Sequence, residues 1–195
     1  MAGDFNRSVR NNVLKKEALA PGTKNGATVT VVESGDGAMH KSVFTLSSTP
    51  LSVVSVTTGA GVGGVKIYDF PEGHINVLGA SSDLSLAVVT EGDFTDGTPE
   101  GDLGLGTLAP ANADALGTDA TDDSICTATA FTMSAYAANV DLPPDSAGFL
   151  FDGSSTAMDL VLNALVDAAD IDDATTTNLL VSGTVTVIWA NLGDV

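Results

Sequence analysis

From residue 27 onward the chain alternates apolar and polar residues in short runs broken by Gly, Pro, Asp and Ser, and a period of two commits a chain to strands with one buried face. Ala27 to Glu33 (ATVTVVE) and Met39 to Leu46 (MHKSVFTL) flank Ser34-Gly35-Asp36-Gly37, which reads as strand, turn, strand. Leu51 to Thr58 (LSVVSVTT) and Val65 to Phe70 (VKIYDF) flank a glycine cluster, and Ile75 to Leu78 and Asp83 to Val89 continue the series. Ile125 to Met133, the short apolar run Phe149 to Phe151, and Leu179 to Ala190 resume it beyond residue 124. Eight or nine such strands predict a mainly β fold, an antiparallel β-sandwich or jelly-roll-like barrel.

One segment departs from the period of two. Met158, Val161, Leu162, Leu165 and Ala169 fall at i, i+3, i+4, i+7 and i+11, with Asp159, Asn163, Asp167 and Asp170 on the opposite face. That spacing predicts one amphipathic helix near the C-terminus, over about 157–169, with Ser155 or Thr156 as its N-cap. Residues 1–26 read as a basic N-terminal arm, a short helix or an extended segment, with Phe5, Val9 and Val13 at four-residue spacing and Pro21-Gly22 as a stop. Residues 27–195 then form a single acidic β domain. Within it, residues 92–124 carry six glycines, two prolines and eight carboxylates and read as a long acidic loop, although Leu103, Leu105, Leu108 and Leu116 suggest that it lies against a surface.

Charge is divided along the chain as sharply as hydropathy. Residues 1–24 hold Arg7, Arg10, Lys15, Lys16 and Lys24 against Asp4 and Glu17, a sum of +3; residues 25–66 sum to 0; residues 67–195 contain no Lys or Arg and 21 carboxylates, which completes the net −18. A body this acidic repels nucleic acid and anionic membranes, so neither is an expected partner. It also repels its own copies unless salt or bound cations screen it. Cys126 is the chain's single cysteine, which excludes an intrachain disulfide. The polar residues scattered through the first 20 leave no apolar core for a signal peptide, so synthesis in the cytoplasm without export by that route is expected.

The chemistry-bearing motifs are few. Gly59, Gly61 and Gly64 satisfy G-x-G-x-x-G after a strand, with Asp83 about 20 residues on, but a dinucleotide site needs a helix to open at the third glycine. The β-branched run that follows predicts a hairpin loop or bulge instead, and no cofactor. Asp93, Asp96, Glu100 and Asp102, and separately Asp119, Asp122 and Asp123, are carboxylates that a hard cation could gather, yet the EF-hand spacing is absent and a solvated acidic loop is the expected reading, with no metal. His40 and His74 belong to no zinc or protease motif, and neither a G-x-S-x-G elbow nor a P-loop occurs, so no catalytic residue is assigned. Tyr68, Tyr136 and Trp189 are few for a sugar-stacking platform. Cys126 and Trp189 read as core residues. The arm, cationic and apolar, reads as a tether for an acidic surface, a loose tail being the other reading.

Four stretches carry a resemblance: Ala2-Gly3-Asp4-Phe5-Asn6-Arg7, Val65 to Ala80 (VKIYDFPEGHINVLGA), Gly92 to Pro99 (GDFTDGTP), and Gly183 to Trp189 (GTVTVIW) through Gly193-Asp194. In these the chain resembles the small virion structural proteins of tailed bacteriophages, marine ones especially, that decorate or cement the capsid. The resemblance implies a sandwich or jelly-roll body, assembly into a homotrimer, no enzymatic activity, the major capsid protein as partner and a place on the outer surface of the virion. It also implies that the arm is the capsid clasp, with Phe5, Arg7, Val9, Arg10, Lys15 and Lys16 as docking residues. A calcium- or glycan-binding sandwich for host attachment is the alternative.

Overall fold

The computed structural model describes residues 23–24, 26, 28–36, 39–55, 60–95, 97–110, 116, 123–143, 148–153, 158–172 and 176–193. Phe5, Arg7, Val9, Arg10, Lys15 and Lys16 lie outside them. The fold is mainly β, in eleven strands: β1 (Thr23–Lys24), β2 (Val29–Asp36), β3 (Met39–Ser55), β4 (Gly61–Asp69), β5 (Gly73–Val88), β6 (Glu100–Gly106), β7 (Cys126–Thr132), β8 (Ala137–Val140), β9 (Phe149–Gly153), β10 (Asp159–Val166) and β11 (Thr176–Asn191). Helix among the described residues is confined to a single 3-10 turn, Glu91–Asp93.

Every pairing is antiparallel, and the strands run in the order β7-β6-β10-β4-β3-β11-β5-β8, with β1 beside β4, β2 beside β3 and β9 beside β5. The sheet curls into a half-barrel whose end strands β7 and β8 are consecutive in the chain, joined by a tight turn that the Ser134–Ala137 bridge closes. Three long strands form its spine. β3, β11 and β5 hold 17, 16 and 16 residues; β11 runs between the other two along its length, while β3 and β5 each change their outer neighbour from one end to the other. The N-terminal half of β3 pairs with β2 and its last two residues with β4, while β5 pairs with β9 at one end and β8 at the other.

So long a strand must bend to serve both. Ser48 takes a left-handed φ of 49° and its N–H donates to the Ser182 hydroxyl at 2.9 Å, opposite a register shift between Val181 and Gly183. Gly183 has φ 127°, and a Cβ there would stand 2.2 Å from the Asp83 carbonyl oxygen, so only glycine fits the bend. The pairs read as separate strands at 39–46 and 51–58, and at 75–78 and 83–89, are therefore halves of β3 and β5.

Alternation buries one side of each long strand. Phe44, Leu46, Leu51 and Val53 of β3 meet Val185, Val187, Leu179 and Val181 of β11, all essentially inaccessible to solvent. Each such side chain contributes roughly 1.5–3 kcal/mol relative to exposure. At one end of this core the rings interlock: Tyr68 stands edge-on to Phe44 at 5.0 Å and to Phe70 at 5.2 Å, and Phe70 is edge-on to Trp189 at 5.3 Å and Phe151 at 5.5 Å.

The helix expected over about 157–169 is corrected: its described part is strand β10, Asp159–Val166. β10 lies between β4 and β6 and is covered on both faces, so its apolar residues run on without a polar side. Leu160, Leu162, Ala164 and Val166 enter the main core, while Leu165 packs with Ala60 and Leu116 on the other side. Asn163, placed on the helix's polar face by spacing, is fully buried and donates from Nδ2 to the Leu108 carbonyl at 2.8 Å. A strand buried on both faces imitates i, i+3, i+4 spacing whenever one polar residue falls among the apolar ones. Within residues 92–124, read as loop, Glu100–Gly106 form β6, fixed by Leu103 and Leu105 in the core.

The described glycines of the cluster, Gly61, Gly63 and Gly64, lie inside β4 rather than in a hairpin loop. A Cβ on Gly63 would meet the Ser52 carbonyl oxygen at 1.8 Å, and one on Gly64 the Asn163 Oδ1 at 2.4 Å. Close approach of neighbouring strands accounts for these glycines, and no helix opens after them.

Candidate functional site

The strongest gathering of ligating groups stands where β6 begins and β10 ends. Glu100 opens β6, Asp167 follows β10 and Asp170 closes the turn after it, and one carboxylate oxygen from each lies within 4.8 Å of the others. The ladder that pairs Gly101 with Val166 sets the first two side by side, and Asp167 N–H donates to the Glu100 carbonyl at 3.0 Å. Asp170 Oδ2 accepts the Glu100 N–H at 2.9 Å, and the Thr132 hydroxyl donates to Glu100 Oε1 at 3.3 Å. Glu100 and Asp167 are exposed and Asp170 half-buried. Asp102, next along β6, has its carboxyl held above the usual range by burial and by the charge of Asp167. Oxygen-only donors at this spacing suit a hard cation such as calcium rather than zinc.

Of the carboxylates singled out from sequence, the structure brings Glu100 and Asp102 to this cluster. Asp93 lies in the 3-10 turn, where its carbonyl accepts Asp172 N–H at 3.1 Å. Asp123 accepts the Ala128 N–H at 3.2 Å, and Asp96, Asp119 and Asp122 lie outside the described residues. Asp167 and Asp170 were missed because the helical pattern assigned them to a solvated face. Their proximity to Glu100 depends on β10 being a strand, and spacing alone does not carry that.

A second charged group joins β4 to β10. Lys66 Nζ stands 2.5 Å from Asp69 Oδ1 and 3.2 Å from Asp159 Oδ1, and Asp69 and Asp159 are cross-strand partners. The hydrogen bond to Asp69 holds the Lys66 ammonium above its usual range. Burial pushes Asp159 up, helped by its hydrogen bond with Asp69, while burial of Asp69 is outweighed by bonds from Lys66 and Asp159 that bring it down. The last cation of the chain thus bridges two carboxylates that would otherwise repel.

Both histidines serve the wall. His40 stacks on Trp189 with centroids 4.1 Å apart and planes 8° from parallel. The Trp189 indole N–H donates to the Ser42 hydroxyl at 2.9 Å, Ser42 donates to Glu33 Oε1 at 3.2 Å, and the Tyr68 hydroxyl donates to the same oxygen. His74 Nδ1 lies 3.2 Å from the Gly193 carbonyl oxygen and Nε2 3.7 Å from Asp152 Oδ1. Cys126 is buried. No helix is long and apolar enough to cross a membrane among the described residues.

No family model matches the chain, and no curated protein matches it. Among solved structures it is similar to the Spr0440 glycoside hydrolase domain, Endo-D, from Streptococcus pneumoniae R6, with 14% identity and a TM-score of 0.30 over 85% of this chain. The aligned region spans 21% of that protein's chain. A likeness at that level carries neither fold nor activity across.

Proposed function

We propose that the chain is a non-enzymatic virion structural protein, a decoration or cement protein on the outside of a tailed-phage head. Its body is read as a jelly-roll-like sandwich, its assembly as a homotrimer, and its partner as the major capsid protein, engaged through Phe5, Arg7, Val9, Arg10, Lys15 and Lys16. The observation that carries this reading is the charge division: a +3 segment precedes a body whose last 129 residues bear 21 carboxylates and no cation, with Lys66 tied between Asp69 and Asp159. Such a body disfavours adhesion to polyanions, requires that trimer contacts be apolar or β-paired with the carboxylates facing outward, and leaves attachment to the capsid to the arm. A binder that favours the assembled shell stabilises it by mass action. Mass spectrometry of gradient-purified particles from the phage that encodes the chain tests the function, which fails if the chain is absent. A chain lacking residues 1–24 that still decorates heads at full occupancy overturns the role of the arm.

The calcium- or glycan-binding module is the second reading, favoured on its calcium side by the convergence of Glu100, Asp167 and Asp170. It requires that calcium raise the melting temperature and that EDTA reverse the rise. A melting curve indifferent to both, at millimolar calcium, removes it.

A further inference from the structure

Five strands, β2, β3, β11, β5 and β9, lie side by side at one end of the molecule, and the face they turn away from the core carries a cluster of large apolar side chains among Lys41, Thr186, Ser81 and Asn76. The registers define it row by row: Val43–Thr186–Ser81, then Lys41–Ile188–Gly79, then Met39–Ala190–Asn76–Leu150, with Val32 beside Val43 and Leu78 in the bulge next to Gly79. Leu192 extends it past Ala190, its N–H donating to the His74 carbonyl at 2.8 Å. Of the nine exposed large apolar residues among those described, six stand here: Val32, Met39, Leu78, Leu150, Ile188 and Leu192, with Val32 at 70% and Leu150 at 59% accessible. Across β3, β11, β5 and β9 these three rows hold no carboxylate, and on β2 the third row ends at Asp36, opposite Met39. Asp36, Asp83 and Asp152 stand in register at the margins. In a chain of net −18 this is an unusual place.

Four strand spacings of about 4.8 Å and six residues of about 3.3 Å along β11 make the face roughly 20 Å on a side, or about 400 Å². That equals the largest patch a monomer ordinarily shows and is half of the about 800 Å² per partner in a stable complex. A second copy set against it would also bring −18 to meet −18. A short segment already tethered to the body meets neither obstacle, because tethering supplies an effective concentration in the millimolar range.

We propose that residues 1–22 of this chain occupy the outer face of β2-β3-β11-β5-β9. Those residues carry Phe5, Val9 and Val13 for the apolar rows and Arg7, Arg10, Lys15 and Lys16 for the acidic margins. Their attachment point is in reach: Thr23 pairs with Asp69 on β4, and Tyr68 beside it meets Phe44 of β3 across the core at 5.0 Å. The nine residues from 14 to 22 span up to about 30 Å, against roughly 10 Å between packed layers. The contact goes beyond the virion reading and does not depend on it; on a shell the same segment would exchange this face for the capsid.

The test uses the full chain with Phe5→p-benzoylphenylalanine, irradiated at low salt and mapped after Glu-C digestion, since trypsin has no site beyond Lys66. Crosslinks are expected on β11, β5 and β9 around Ile188, Leu78 and Leu150. Their yield should fall at about 0.5 M NaCl, which screens the cationic margin contacts. It should fall at least about tenfold in the I188T/L150T variant, which loses two apolar contacts while placing strand-compatible, β-branched threonine at both positions. Crosslinks elsewhere, or an unchanged yield in a variant whose melting temperature is intact, overturn the proposal. So does sedimentation showing a dimer that salt strengthens and I188T/L150T abolishes, for then a second copy is the occupant. Absence of the chain from virions leaves this result untouched.

Discussion

Replacing Gly63 by alanine asks whether β4 passes against β3 as closely as the fold requires. The new Cβ would stand 1.8 Å from the Ser52 carbonyl oxygen and 2.7 Å from its carbon, where ordinary contacts begin near 3.4 Å. Both obstacles are backbone, so no side chain can swing away, and the strands must separate by about 1.5 Å. Overpacking of this kind costs about 1–3 kcal/mol, here at the upper end, out of a total of roughly 5–15 kcal/mol. Gly79 is the matched control: it lies in β5, has nothing within 4 Å of its Cβ position and does not need a left-handed φ. Gly79→Ala should be neutral or stabilising by up to about 1 kcal/mol, because alanine narrows the unfolded ensemble. Urea denaturation followed by the emission of Trp189, the chain's one tryptophan and fully buried, reports both variants. A lower midpoint at unchanged slope for Gly63→Ala, set against none for Gly79→Ala, is the expected result. Equal midpoints would refute the close passage, and with it the explanation of the glycine cluster as strand packing.

Ser42→Ala leaves the Trp189 indole N–H without its acceptor in the core, which should cost about 1–3 kcal/mol and lower the melting temperature by about 2–10 °C. Lys66→Met leaves Asp69 and Asp159 facing each other across β4 and β10; about 1 kcal/mol should be lost at neutral pH, and the loss should vanish in acid, where both carboxyls are protonated. Asp102 has its folded pKa raised by burial and by Asp167, so its ionisation disfavours the folded state. The cost is absent below its ordinary value of 3.8 and grows as pH rises from there through the raised value. Asp102→Asn should therefore raise the melting temperature at pH 7 and leave it unchanged near pH 3. A variant no more stable than the wild type at pH 7 would refute that account.

The strands were legible wherever one face met the core and the other met water. β2, β3 and β11 alternate, and their positions, like that of β7, follow from the sequence within a few residues. What could not be read was continuity across a bend. Ser48 is the residue at which β3 turns, and with Pro50 close behind it looks like a terminator in a window of eight, so one long strand reads as two; Gly183, at the matching bend of β11, leaves the run Leu179 to Ala190 unbroken. β10 failed for a different reason: being buried on both faces, it had lost the alternation that marks a strand, and Asn163 completed a false helical pattern. The same error hid the acidic cluster, because Asp167 and Asp170 approach Glu100 only if the chain is extended through Val166. The chain of hydrogen bonds from Trp189 through Ser42 to Glu33 and Tyr68 had no signal at all, since its members lie on four strands with nothing in their spacing to join them.

Glu33 shows how the two halves of the charge division meet. It lies on β2, which pairs on one side with β3, and it turns inward to accept from Ser42 and Tyr68 rather than outward with Thr30, Val32 and Ser34. An inward carboxylate on β2 penalises addition of a further strand that would bury it more deeply, so that side of β2 resists pairing with a copy. The outer face of that strand has no inward carboxylate: Val32 is 70% exposed, Lys41 stands one row away opposite Ser34, and Asp36 is in register with Met39 in the row beyond. A body of this charge that leaves six large apolar side chains exposed on a sheet face of about 400 Å² suits a small cationic segment as its cover, as proposed above. Residues 1–24 are the one segment of this chain with that composition.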